Sequence, residues 1–231
     1  MIFSKSQKTL VLNVPKTGTI TCANFLASYR KELSPFFVGL EALKHTSYSE
    51  LSHFINNPPV NGSGVPVELG LDLNSVEKVY LFWRDPVQRF ISGANFIRSK
   101  NVRNLLFRRK PEWFAQFNPA FVMSKEQEAE ISEFAKTITP EQVFNEPILM
   151  DGTIFKPQSY WHRDVPKDKL VVLDFAQFES GMRTIAADFG VPVDVPIPKL
   201  NESQKLTTAL SPELEAAVQA YYAEDYALKP I

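Results

Sequence analysis

Apolar and polar positions alternate along the chain in short apolar runs, each followed by a longer stretch with helical spacing. Thr9 to Val14 (TLVLNV) is an apolar run ended by Pro15, which predicts a buried strand. Ile20, Ala23, Phe25, Leu26, Tyr29 and Leu33 then recur as one face of a helix from Thr19 to Leu33, with Gly18 at the join. Val79 to Trp83 (VYLFW) predicts a second buried strand, halted by Arg84-Asp85-Pro86. A helix from Val87 to Ile97 follows, with Pro86 in its first turn, where a missing N–H costs nothing. Leu170 to Leu173 (LVVL) predicts a third strand, and Phe178 to Phe189 a helix closed by Gly190 and Pro192.

Weaker patterns fill the rest. Met1 to Lys8 reads as a polar lead-in, Ser47 to Phe54 as a short helix, and Asn56 to Gly64 (NNPPVNGSG) as a surface loop. Lys125 to Ala135 predicts a helix, Thr139-Pro140-Glu141 a turn, and Ser211-Pro212-Glu213 the start of a helix that Leu214 to Tyr222 continues. There is no internal repeat, low-complexity tract or linker. Strands alternating with helices predict one α/β domain over residues 1–231, a three-layer P-loop-like fold with a central, mainly parallel sheet flanked by helices.

Composition narrows the chemistry. At 231 residues, with 44% hydrophobic and 22% charged, the chain has enough apolar material for a sizeable core. Its formal net charge of −1 gives no global field for nucleic acid or an anionic membrane, so any anion binding is local. The single cysteine, Cys22, cannot form an internal disulfide, and His45, His53 and His162 are scattered, so no metal is expected. No basic start with an apolar signal core is present, nor an apolar run of about 18 residues, and the expectation is a cytosolic chain without a membrane segment.

Pro15-Lys16-Thr17-Gly18-Thr19-Ile20-Thr21 lies between the first strand and its helix. Gly18 permits a sharp turn and close approach of backbone to an anion. Amides from Thr17 to Thr21 would form a nest at the positive end of the helix, with three threonine hydroxyls and the Lys16 charge beside it. The lysine precedes the glycine, unlike the nucleoside-triphosphatase loop, where it follows the last glycine. A threonine-rich turn with a solvated lysine is the plainer alternative. Arg84, at a strand's end, and Ser92, two turns into the next helix, form a second candidate grip on an anion; the alternative is an Arg84–Asp85 pair capping that helix.

With these residues in view, VPKTGTIT (14–21) resembles the 5′-phosphosulfate loop of sulfotransferases, and WRDPVQRFIS (83–92) their 3′-phosphate segment. The spelling is closest to the Golgi-type carbohydrate branch, which includes the heparan sulfate and uronyl 2-O-sulfotransferases. Leu210-Ser211-Pro212-Glu213-Leu214 through Tyr221-Tyr222-Ala223-Glu224-Asp225-Tyr226 resembles that branch's C-terminal helix. The resemblance runs from about residue 9 to 228 and is weak between 98 and 165. It implies transfer of a sulfuryl group from 3′-phosphoadenosine 5′-phosphosulfate to a hydroxyl, without metal, leaving adenosine 3′,5′-bisphosphate. Pro15 to Thr21 would hold the 5′ side, with Lys16 stabilising the leaving phosphate, and Arg84 and Ser92 the 3′-phosphate. The branch's eukaryotic members are membrane-anchored and disulfide-bonded; the expectation here is an unanchored, disulfide-free chain, which a bacterial or viral origin would explain.

The acceptor side is thinner. The stretch around His45 (LKHTSYSEL, 43–51) resembles the segment carrying the catalytic histidine of the 2-O-sulfotransferases, which implies His45 as general base; histidine titrates near neutral pH. The plainer alternative is a satisfied histidine at a strand end or helix cap; Glu41 and Glu50 are other candidate bases, and Lys44 is either a contact to the sulfate or an exposed lysine. Phe155 to His162 (FKPQSYWH) resembles a Pro-Gln loop of related carbohydrate enzymes, whose amide and aromatic groups, here Gln158 and Tyr160, would suit a sugar face; the equal alternative is that Tyr160 and Trp161 are core. Arg98 to Lys110 holds six cations and no acid, either a strip for an acidic polysaccharide or a solvated face. Asn201-Glu202-Ser203 resembles a late Asn-x-Ser near the donor's 3′ side. Two rivals stand beside this reading: a small-molecule kinase with a divergent loop, and a non-catalytic nucleotide-binding scaffold.

Overall fold

The computed structural model describes residues 1–4, 6–29, 45–57, 71–99, 124–192, 194–198 and 205–230. They fall into two compact units. The first comprises Met1–Asp85, Pro157–Asn201 and Tyr222–Ile231, the second Pro86–Lys156 and Glu202–Tyr221.

The first unit is built on a four-stranded sheet in the order β1 (Ile2–Ser4), β2 (Thr9–Val11), β3 (Lys78–Trp83), β4 (Leu170–Asp174). β2, β3 and β4 run parallel, with Leu10 beside Val79 and Leu81 beside Val172; β1 is antiparallel to β2. Strand periodicity sorts the side chains to two faces. Leu10, Leu12, Val79, Leu81 and Trp83 pack with Leu51 of α2 (Tyr48–Asn56) and with Trp161. Val11, Tyr80 and Phe82 pack with Phe25 and Leu26 of α1 (Thr19–Tyr29) and, from Phe178–Asp188, with Met182 and Ile185. Helices therefore cover both faces, the three-layer α/β arrangement that the alternation of strands and helices predicts.

The second unit is helical: α3 (Pro86–Ser99), α4 (Lys125–Thr137), α5 (Pro140–Phe144), α6 (Pro147–Met150) and, late in the chain, Pro212–Tyr221. Phe90 packs against Phe144 and Phe155, and Phe144 against Tyr221. Asn95 exchanges two hydrogen bonds with the Thr207 backbone, at 2.8 and 2.9 Å. Among the described residues no helix is long and apolar enough to cross a membrane.

Two local expectations are corrected. Met1 to Lys8 is no polar lead-in: Ile2 and Phe3 are buried and pair with Val11 and Leu10. An antiparallel neighbour needs only a tight turn, and residues 6–8 lie in a turn. Thr139-Pro140-Glu141 opens a helix, because Thr139 and Gln142 form a capping box and Pro140 takes the first helical position. The loop after Asn57 lies largely outside the described residues, as does the helix face expected beyond Tyr29.

Candidate anion-binding site

After β2 the ladder continues for one bond, Leu12 N–H to the Tyr80 carbonyl, and the chain then turns at Asn13, with Val14 N–H donating to Leu12 O. Pro15 follows, and Lys16 (φ 69°) and Gly18 (φ 77°) both adopt left-handed backbone. Thr17, buried between them, donates its hydroxyl to Val14 O at 2.8 Å and ties the turn together. Gly18 O accepts from Cys22 N–H, so α1 begins within the motif. The first N–H groups of any helix lack intrahelical acceptors and carry partial positive charge. The helix start therefore adjoins the left-handed turn, and Lys16 is half-exposed. Thr19 and Thr21 are buried and Ile20 half-buried.

Gly18 is required here. A Cβ on it would lie 2.5 Å from Phe178 Cε2 and 3.1 Å from Phe175 Cε2, and its φ is one that side chains rarely adopt. Cys22 is fully buried, and burial pushes its thiol up to about 12, so it is no nucleophile.

Arg84 joins the second motif to the first. Its Nη1 donates to Lys16 O at 2.9 Å, and its guanidinium carbon lies 4.7 Å from the centroid of the Phe175 ring. Two motifs read 68 residues apart in sequence are in contact at the C-terminal ends of adjacent parallel strands, where open α/β sheets bind ligands. Arg84 is itself fastened by α7 (Gln158–His162). Arg84 N–H donates to Gln158 Oε1 at 2.9 Å, and Gln158 Nε2 donates to Arg84 O at 2.8 Å.

His45 stands just before the Ser47 cap of α2. Its Nδ1 is 2.8 Å from Asn13 O. A carbonyl only accepts, so Nδ1 carries the proton and the neutral ring's basic lone pair lies on Nε2. His45 also meets the edge of Trp161, with ring centroids 6.3 Å apart. Glu50, the alternative base, is occupied: one oxygen accepts from Ser47 N–H and the other from the Tyr160 hydroxyl, both at 2.7 Å.

No family model matches the chain, and no curated protein matches it. Among solved structures, a sulfotransferase from Alicyclobacillus acidocaldarius is similar at 15% identity and a TM-score of 0.34, over 95% of this chain and 92% of that one.

The first unit thus holds Pro15 to Thr21 in contact with Arg84, and His45 bonded to Asn13, two residues before that loop. Ser92 lies in α3, in the second unit. Lys44, Glu41 and Asn201 to Ser203 lie outside the described residues. So does the basic strip except Arg98, which donates to Thr207 Oγ1 and Lys136 O. Gln158 and Tyr160, expected to face a sugar, have other partners: the Gln158 amide is fully buried on the Arg84 peptide, and the Tyr160 hydroxyl is on Glu50.

Three contributors escape sequence reading. Phe175 flanks both Gly18 and Arg84, yet it reads as an ordinary apolar residue after a strand. Asp225 is fully buried, and its carboxylate accepts from Gln158 N–H (2.8 Å) and Ser159 N–H (2.9 Å). It lies in the stretch that resembles the family's C-terminal helix, but no spacing rule links it to residue 158. In the second unit Arg89 is buried, with its guanidinium donating to Ile154 O and Lys156 O. Five residues from Arg84, it is spent on backbone carbonyls.

Proposed function

We propose that the chain is a sulfotransferase that moves a sulfuryl group from 3′-phosphoadenosine 5′-phosphosulfate to a hydroxyl, favoured as a carbohydrate hydroxyl by the resemblance of its motifs. The observation that carries the reading is the bond from Arg84 Nη1 to Lys16 O. That contact between the two segments resembling the donor motifs supports reading Arg84 and the Lys16 loop as parts of one anion site.

In this reading Pro15 to Thr21 hold the 5′-phosphosulfate, Arg84 the 3′-phosphate, and Lys44 is a further contact to the sulfate. Lys16 stabilises charge on the phosphate that departs. His45 Nε2 takes the acceptor's proton as the acceptor oxygen bonds to sulfur and the sulfur–oxygen bridge to the phosphate breaks. Adenosine 3′,5′-bisphosphate and a sulfate ester are the products. Such transfer needs little covalent help, so positioning and charge stabilisation dominate, as in phosphoryl transfer. The Nδ1–carbonyl bond favours His45 as base, since it points basicity to the other nitrogen, while Glu50 is spent on two donors.

A thermal-shift titration with adenosine 3′,5′-bisphosphate tests the reading. Wild type should be stabilised through linkage, and Lys16→Ala and Arg84→Ala much less. An unshifted wild type, or a larger shift from ATP with magnesium, would sink it. Once an acceptor is in hand, His45→Ala should lower kcat by about 10²–10⁴-fold while bisphosphate affinity holds. Turnover at the wild-type rate would return the base role to another group.

A further inference from the structure

The pairing of β3 with β4 ends at Trp83 opposite Asp174, leaving the Arg84 peptide one step past the ladder. A strand residue presents its N–H and C=O on one side, and a primary amide has the same donor–acceptor pair as a peptide. Gln158 uses that match. Its Oε1 and Nε2 engage Arg84 N–H and C=O at 2.9 and 2.8 Å, a side-chain rung that extends the strand by one residue.

The rung is itself anchored. Gln158 N–H donates to Asp225 Oδ2 at 2.8 Å and Ser159 N–H to Asp225 Oδ1 at 2.9 Å, so a carboxylate from far along the chain caps the start of α7. The Asp225 carbonyl accepts from Trp83 Nε1 at 2.8 Å, which returns the link to the last residue of β3. Gln158, Asp225 and Trp83 are all buried, so each unmade bond would leave a desolvated polar group. At the other end of Arg84, the guanidinium reaches Lys16 O, inside the left-handed turn.

We propose that Gln158 and Asp225 are positioning residues that fix the Arg84 peptide, so that its guanidinium is held in place for an anion without either residue touching that anion. This rests on the donor-site reading above. Arg84's long side chain would otherwise lose rotamer freedom on binding; a fixed peptide and the Lys16 and Phe175 contacts restrict it beforehand.

The test is a double-mutant cycle read as bisphosphate affinity by calorimetry. Gln158→Met removes both rung bonds at nearly constant volume, and Arg84→Ala removes the guanidinium while keeping the peptide that Gln158 holds. Gln158→Met should weaken adenosine 3′,5′-bisphosphate binding about tenfold in the wild-type background and less than twofold with Arg84→Ala present. Equal losses in both backgrounds would mean a general structural effect and overturn the proposal. If Gln158→Met does not fold, Gln158→Glu serves in the same cycle, since it keeps acceptance from Arg84 N–H while its second oxygen faces Arg84 O and Asp225 Oδ2 without a proton to share. Binding as wild type by the folded variant also overturns the proposal, while Lys16→Ala weakening shows the donor-site reading intact. A wild type that binds no bisphosphate defeats that reading and, with it, this one.

Discussion

The ends of β2 and β3 lie side by side, and each presents a charged side chain, Lys16 and Arg84, yet they are built in different ways. The first is held by torsion: left-handed residues at 16 and 18, a Thr17 hydroxyl folded back on Val14, and a helix springing from Gly18. All of this lies within about a turn of chain. The second is held by imported groups, Gln158 against the Arg84 peptide and Asp225 behind Gln158. Local torsion is cheap to order but intolerant of side-chain change at the glycine. A remote clamp accepts an ordinary backbone at Arg84 but depends on distant parts of the unit being folded.

Three measurements can break or sharpen this contrast. The largest effect is expected from Gly18→Ala, which meets both a disfavoured φ and a 2.5 Å approach to Phe178. Strain and overpacking together should cost about 2–4 kcal/mol in chemical denaturation and abolish bisphosphate binding. A variant of wild-type stability and affinity would show that torsion is not what holds the first end.

Asp225→Asn comes next. One carboxylate oxygen becomes an amide nitrogen facing a backbone N–H, so a donor is left unmatched in a fully buried place. The expected loss is about 1–3 kcal/mol, with hydrogen exchange of the Arg84 amide accelerated and that of Cys22 little changed. Equal acceleration at both amides would mean the two ends are not held independently.

The smallest effect is a pH slope. Burial depresses the His162 imidazole below its usual range, against the opposing pull of its own backbone hydrogen bond and the Asp225 charge. The unfolded chain therefore takes up the proton more readily. Its contribution to stability is present above about 6.5, the ordinary value, and is lost as pH falls through the depressed folded value. Denaturation midpoints at pH 7.5 and 5.5 should differ less in His162→Gln than in wild type. An unchanged difference would remove His162 as the acid-sensitive element beside Gln158.

The same contrast explains what the sequence could convey. The β2 end was legible because its parts are neighbours: glycine, lysine and threonines between an apolar run and a helical period. Arg84 was legible for the same reason, standing where an apolar run stops. Gln158's task was not, since an amide that replaces a strand rung has no periodicity, and its partner lies 74 residues away. Asp225 has no local pattern to mark it as buried; acids are rarely so unless paired. β1 was missed because three residues are too few for alternation to register against a polar turn.

The bond from Trp83 Nε1 to Asp225 O spans 142 residues, and that distance is also a time. At about 5–20 residues per second of synthesis, Trp83 leaves the ribosome's catalytic centre roughly 7–28 seconds before Asp225 is added. Through that interval the β2 turn can already form from its own residues, whereas the Arg84 peptide has no finished clamp. The candidate site is therefore completed late in translation, and a nascent chain stalled before residue 225 carries Arg84 without the finished clamp behind it.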